Sequence, residues 1–149
     1  MIMDAPLSLE VRHRYAATPE RVFRAWTEAD QVRRWWKLSE GHHCTQAEID
    51  LRVGGSYQFQ MAAKEGAAMP AISGSYLEID PPRRLVFTWR WVHHPVEKET
   101  LVTVEFRTAA EGCEVVLMHT RFPDANMRDQ HEQGWCAVLK MLEATRLDG

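Results

Sequence analysis

The stretch from Pro123 to Leu142, PDANMRDQHEQGWCAVLKML, limits how the rest of the chain can fold. Pro123 and Asp124 predict the start of a helix, because an aspartate at the N-cap accepts hydrogen bonds from the first free backbone N–H groups. Residues of one face then recur at three- and four-residue spacing, which predicts an amphipathic helix. This stripe comprises Met127, His131, Trp135, Val138 and Leu142. The predicted helix is the longest in the chain.

Upstream of this helix, the sequence alternates with period two and predicts six consecutive strands. Their predicted bounds are 44–51, 57–61, 72–79, 85–92, 101–108 and 115–122. Gly54-Gly55 suits the positive-φ positions of a tight hairpin. Asp80-Pro81-Pro82 cannot continue a strand ladder, residues 109–112 form a hairpin turn, and residues 64–69 are expected to form a loop. Such consecutive hairpins favour an antiparallel sheet.

The N-terminal part predicts one more strand and two short helices. Residues 7–16 alternate as a strand does. Thr18, Pro19 and Glu20 combine an N-cap hydroxyl, a proline in the first turn and a carboxylate near the positive end of the helix dipole. Thr27, followed three residues later by an acidic residue, predicts a second N-cap of the capping-box type. The two predicted helices carry Trp26, and Val32, Trp35 and Trp36.

These elements predict an α+β fold in a single domain over residues 1–149. A sheet of six to seven antiparallel strands needs one face covered, and the C-terminal helix is the only element long enough to cover it. A strongly curved sheet wrapped round one helix encloses space between the two. Aromatic side chains on both surfaces either fill that space or line a pocket.

Composition excludes several classes of protein. Lys and Arg number 18 against 21 Asp and Glu, for a net charge of −3, and no basic block predicts nucleic-acid binding. The three cysteines, Cys44, Cys113 and Cys136, are widely spaced, which favours a reducing compartment over a disulfide framework. Residues 1–6 carry no signal-peptide pattern, and no apolar run reaches the length of a membrane span. We expect a cytoplasmic protein, a monomer or a dimer.

Several segments carry a resemblance to a known family: TPERVFRAW at 18–26, RWW at 34–36, EIDLRVGG at 48–55, GSYLEIDPPRRLVFTW at 74–89, TLVTV at 100–104, His119, and Gly134-Trp135. They resemble the helix-grip superfamily, also known as START-like or SRPBCC, which includes lipid-transfer domains, birch-pollen-type allergens and polyketide cyclases. Within it they are most similar to the branch named after the activator of the heat-shock-protein-90 ATPase. The resemblance implies a curved antiparallel sheet around a long C-terminal helix, with two short helices after the first strand.

The candidate ligand-binding residues are mostly aromatic. Six tryptophans in 149 residues indicate either a large core or an aromatic-lined cavity, and both alternatives stay open because protein interiors are normally close-packed. The candidates are Trp35, Trp36, Tyr57, Phe59, Met61, Tyr76, Phe87, Trp89, Trp91, Val104, Phe106, Leu117, His119, His131 and Trp135.

Two histidines are the candidates for chemistry. His119 shares a strand face with apolar residues and is the candidate catalytic residue, while His131 lies in the stripe of the last helix. Imidazoles beside one pocket can exchange protons near neutral pH; alternatively, each is a core histidine bonded to a neighbour. The pairs at 42–43 and 93–94 do not match a metal-binding spacing. We expect neither a metal nor a cofactor.

Three functions remain open. We favour a protein that binds a small hydrophobic, aromatic or lipid-like molecule without catalysis, with His119 orienting a polar group. The second is an enzyme of the polyketide cyclase or dehydratase kind that uses the same cavity through His119. The third, implied by the resemblance, is a module that interacts with a chaperone.

Overall fold

A computed structural model describes residues 7–38, 41–63, 65–67 and 69–145. The N-terminal residues 1–6, for which the sequence predicts no signal peptide, lie outside the described residues. So do Lys64 and Ala68 of the loop predicted at 64–69.

The elements follow the predicted order, and their ends lie within three residues of the predicted ones. They are β1 (Leu7–Tyr15), α1 (Pro19–Thr27), α2 (Ala29–Trp35), β2 (His43–Ile49), β3 (Ser56–Ala62), β4 (Ile72–Asp80), β5 (Arg84–Trp91), β6 (Thr100–Ala109), β7 (Gly112–Phe122) and α3 (Ala125–Ala144). A short 3₁₀ turn, Val96–Lys98, lies between β5 and β6 and was not predicted.

The strands form a seven-stranded antiparallel sheet in the order β1-β7-β6-β5-β4-β3-β2. Neighbours in sequence are neighbours in the sheet, except that β1 pairs with the last strand. One row of paired residues crosses the sheet through Val11, Leu117, Val104 and Leu85. All four are buried, because residues in register on adjacent strands point to the same face. The predicted helix-grip architecture is confirmed.

The helix starts confirm two of the three predicted caps. The Thr18 hydroxyl accepts a hydrogen bond from the backbone N–H of Arg21. A carboxylate oxygen of Asp124 accepts one from Met127 at 2.8 Å. The predicted N-cap at Thr27 is wrong: its hydroxyl donates to the carbonyl of Phe23 in α1 at 2.9 Å, and Glu28 occupies the N-cap of α2.

The turn between β2 and β3 is longer than the predicted tight hairpin. β2 ends at Ile49 and β3 begins at Ser56, so six residues connect the strands. Of the two glycines only Gly54 has a positive φ, +87°. Gly55 is required for space, since a Cβ there would overlap the carbonyl oxygen of Asp50.

Helix α3 lies across the concave face of the sheet and is fixed at its C-terminal half. Tyr15 of β1 donates its hydroxyl hydrogen to the carbonyl of Leu139 at 2.9 Å. Leu139 and Leu142 are fully buried there. Beside them, Trp26 stacks on Trp135 with ring centroids 6.0 Å apart. This part of the interior is packed with aromatic and aliphatic side chains.

Candidate functional site

A cavity of about 340 Å³ lies between strands β3–β5 and helix α3, and it is partly open to solvent. The cavity results from the period-two pattern of the strands and from the residues that helix α3 places opposite them. Alternation along β3 places Phe59 and Met61 on the inner face, and alternation along β5 does the same for Trp89 and Trp91. At the site, α3 contributes Gly134, which has no side chain to fill the space.

The cavity walls are apolar. The aromatic surfaces come from Trp36, Phe59, Trp89, Trp91 and Trp135. Aliphatic and thioether side chains complete them: Leu38, Met61, Met69, Ile72, Met127 and Val138. Methionine side chains adapt their shape to irregular partners, so these walls suit an apolar guest.

Four polar residues also border the cavity: His93, His94, Gln130 and His131. The rings of His93 and His94 lie with their centroids 4.3 Å apart. Partial burial and the neighbouring His93 lower the pKa of His94. The neutral form of the His94 ring therefore predominates near pH 7.

His131 is held on the cavity wall by two hydrogen bonds. Its Nε2 accepts from the indole N–H of Trp91 at 3.0 Å, so Nδ1 carries the hydrogen and donates to the carbonyl of Met127 at 2.8 Å. Burial lowers the pKa of His131, and the bond to Met127 opposes this only in part. The imidazole is a neutral part of the wall.

His119 lies behind the wall and is completely buried. Its Nδ1 accepts from the indole N–H of Trp135 at 3.0 Å, so its Nε2–H donates to the Thr100 hydroxyl at 2.6 Å. That hydroxyl donates in turn to the carbonyl of Trp89 at 3.1 Å. Burial, together with the nearby His131, holds the pKa of His119 well below its usual range. Both ring nitrogens are bonded to protein atoms, as expected of a core histidine.

The structure brings some of the predicted ligand-binding residues to the cavity and leaves others away from it. Those at the cavity are Trp36, Phe59, Met61, Trp89, Trp91, His131 and Trp135. Tyr57, Tyr76 and Phe87 line a separate space of about 10 Å³. Trp35, Val104, Phe106, Leu117 and His119 pack in the core. Ligand contact stays a prediction for all of them.

Sequence reasoning did not select several residues that line the cavity. Met127 and Val138 belong to the predicted helical stripe, so the periodicity contained the signal for them. Ile72 begins the predicted strand β4, and Gln130 and Gly134 lie beside the stripe on α3. The connecting segments supply the others, which no periodicity marks as cavity residues: Leu38, Met69, Pro70, His93 and His94.

Within residues 7–38, 41–63, 65–67 and 69–145, no three His, Cys, Asp or Glu side chains converge as a metal site requires. In the same part of the chain, no helix is both long and apolar enough to cross a membrane.

Comparison with solved structures shows strong likeness to small proteins of one kind. Protein CV1439 from Chromobacterium violaceum is 28% identical, with 95% of this chain and 98% of that chain covered and a TM-score of 0.83. The AHSA1-like protein from Aeromonas hydrophila is 27% identical, with 95% and 96% covered and a TM-score of 0.78. PFC0360w, an HSP90 activator from Plasmodium falciparum, is 28% identical, with 92% and 94% covered and a TM-score of 0.72.

No curated protein matches the sequence. The family model described as "Activator of Hsp90 ATPase homolog 1-like protein" matches residues 16–146, most of the chain. The fold just described is the one that this family shares with the SRPBCC superfamily. The chain therefore belongs to the family of activator of Hsp90 ATPase homologue 1-like proteins.

Proposed function

We propose that this protein binds a small hydrophobic molecule with an aromatic part in the cavity between β3–β5 and α3. The observation that supports this is the cavity itself. About 340 Å³ between the sheet and α3 stays unfilled and partly open to solvent, beside a closely packed aromatic core. That volume is within the usual range of small-molecule sites.

The chemistry of the walls gives the class of ligand. Four indole rings face the cavity, from Trp36, Trp89, Trp91 and Trp135. Offset-stacked and edge-to-face contacts between aromatic rings stabilise a complex in addition to the burial of apolar area. The ligand is therefore apolar and at least partly planar, and His93, His94 and Gln130 leave room for a polar substituent on it.

Binding is preferred to catalysis because of the state of the two histidines. A cyclase-like reaction through His119 requires a ring nitrogen that can exchange a proton with the substrate. In His119 both nitrogens are bonded to the buried residues Thr100 and Trp135. In His131 they are bonded to Trp91 and Met127. These networks support structural roles.

Titration with N-phenyl-1-naphthylamine tests the proposal, since this neutral probe becomes fluorescent in apolar surroundings. We expect saturable binding at one site. Gly134→Leu should abolish it by placing a side chain in the cavity. Gln133→Leu is the matched control, because Gln133 is exposed and lies on another face of the same helix; this variant should bind the probe normally. Unsaturable binding, or equal binding by both variants, would contradict the proposal.

A second candidate function is interaction with a chaperone of the Hsp90 class. The observation in its favour is the 28% identity to the HSP90 activator of Plasmodium falciparum over 92% of this chain. The test is the ATPase rate of an Hsp90-class chaperone with and without the protein. An increase supports this function. An unchanged rate, together with no co-elution, removes it and leaves ligand binding unaffected.

A further inference from the structure

Behind the main cavity lies a second one of about 10 Å³. The two cavities share Trp36, Phe59 and Trp89 in their walls. The small cavity is also lined by Trp26, Tyr57, Tyr76, Leu85 and Phe87. A volume of this size holds about one oxygen atom with its hydrogens, as in a water molecule.

Two indole groups in the walls of the small cavity have an unusual feature. Trp26 and Trp89 are each only 5% exposed. Among the residues that the structure describes, neither Nε1–H has a hydrogen-bond acceptor. Other buried indoles of the same core are satisfied: Trp35 donates to the carbonyl of Ala25, and Trp135 donates to His119.

Unsatisfied buried donors are rare, because burial removes water from the N–H group without replacing its hydrogen bond. Here both belong to the wall of one oxygen-sized space, and Trp89 also faces the main cavity. An acceptor in that space is the arrangement that would satisfy both groups.

We propose that the ligand carries an oxygen acceptor at its buried end, and that this oxygen lies in the small cavity and accepts hydrogen bonds from Trp89 and Trp26. The inference rests on the proposed function and narrows it to hydrophobic carbonyl compounds, such as aromatic ketones. A carbonyl oxygen has two lone pairs, so it accepts from both indoles at once. The apolar body of the molecule then occupies the main cavity.

The test compares two probes of nearly the same shape, 2-acetylnaphthalene and 2-isopropenylnaphthalene, in which a CH₂ group replaces the oxygen. Dissociation constants are measured by quenching of tryptophan fluorescence and corrected for the water–octanol partition of each probe. We expect the ketone to bind about tenfold more tightly after this correction, as two modest hydrogen bonds predict. In ¹⁵N-labelled protein, the ketone should move the indole N–H resonances of Trp26 and Trp89 downfield relative to the hydrocarbon.

Two tryptophan variants test which indole N–H causes the preference for the ketone. Trp89→Phe keeps an aromatic ring but removes one of the two N–H donors, so the preference for the ketone should fall from about tenfold to about threefold. Trp91→Phe is the control, because the Trp91 N–H already donates to His131. This control should retain the preference for the ketone, whatever its effect on the two affinities.

The outcomes separate this inference from the proposed function. Equal corrected affinities with unchanged indole resonances would overturn the oxygen site while leaving a hydrophobic binding protein. If neither probe binds, the proposed function fails and this inference fails with it. If Trp89→Phe does not fold, the affinity ratio and the indole resonances of the unmodified protein decide the question.

Discussion

Replacing Gly134 with alanine should stabilise the protein, although Gly134 lies in the interior of helix α3. Glycine inside a helix is less favourable than alanine by about 1 kcal/mol. An added Cβ meets only the Leu38 Cδ2 atom, at 3.9 Å, which is an ordinary van der Waals distance. We therefore expect the free energy of unfolding to rise by about 1 kcal/mol, and the melting temperature by about 2–4 °C for a chain of this length.

Urea unfolding followed by tryptophan fluorescence measures this change, with the m value checked for constancy. Gly74→Ala is the opposite control, since a Cβ there would overlap the carbonyl oxygen of Thr88 and contact the ring of Tyr57. It should lower the midpoint. A lower midpoint for Gly134→Ala would refute the reasoning, because it would mean that the space beside α3 is filled. For Gly134→Leu we expect a similar gain in helix propensity, together with the loss of binding of the fluorescent probe.

The remaining predictions concern the buried titratable groups. His119→Ala should lower the free energy of unfolding by about 3 kcal/mol, because it leaves a void and an indole N–H without an acceptor. If urea unfolding shows that this free energy falls by less than about 1 kcal/mol, the buried hydrogen bonds of His119 are contradicted. Since the pKa values of His119 and His131 are lowered in the folded state, the unfolded chain takes up protons first as the pH falls below about 6.5. Stability should therefore decrease from pH 7.5 to pH 5.5, by up to about 1.4 kcal/mol per pH unit for each histidine, and a flat urea midpoint would contradict this. Burial raises the pKa of the Cys113 thiol to about 11. Iodoacetamide at pH 8 should therefore alkylate the exposed Cys136 before Cys113, as followed by mass spectrometry. Equal rates of alkylation would count against the burial of Cys113.

The fold was predictable because the sequence repeats its period over long segments. Alternation along residues 57–61 predicted that Tyr57, Phe59 and Met61 share one strand face, and all three are buried. The error at Thr27 shows the limit of local signals. A threonine hydroxyl before an acidic residue suits an N-cap, but the same hydroxyl can also bond back to the carbonyl four residues earlier. Nothing in the local sequence distinguishes the two arrangements.

The site was less predictable because it depends on distance between elements. Alternation correctly pointed His119 inward, but its partners Thr100 and Trp135 come from another strand and from α3. Periodicity also cannot tell Phe87, which packs, from Trp91, which lines the main cavity. The two residues share a strand face, and only the curvature of the sheet under α3 separates their surroundings.

The pairing of β1 with β7 has a consequence for synthesis on the ribosome. Leu7 pairs with Phe122 and Tyr15 with Cys113, so the first strand is made long before the strand with which it pairs. Until residues 112–122 emerge, the apolar side chains of Leu9 and Val11 have no sheet to join. Closing so long a loop adds entropy cost and slows folding, and such transiently exposed strands favour aggregation. Emergence of the seventh strand is therefore the first moment at which the nascent sheet can be completed.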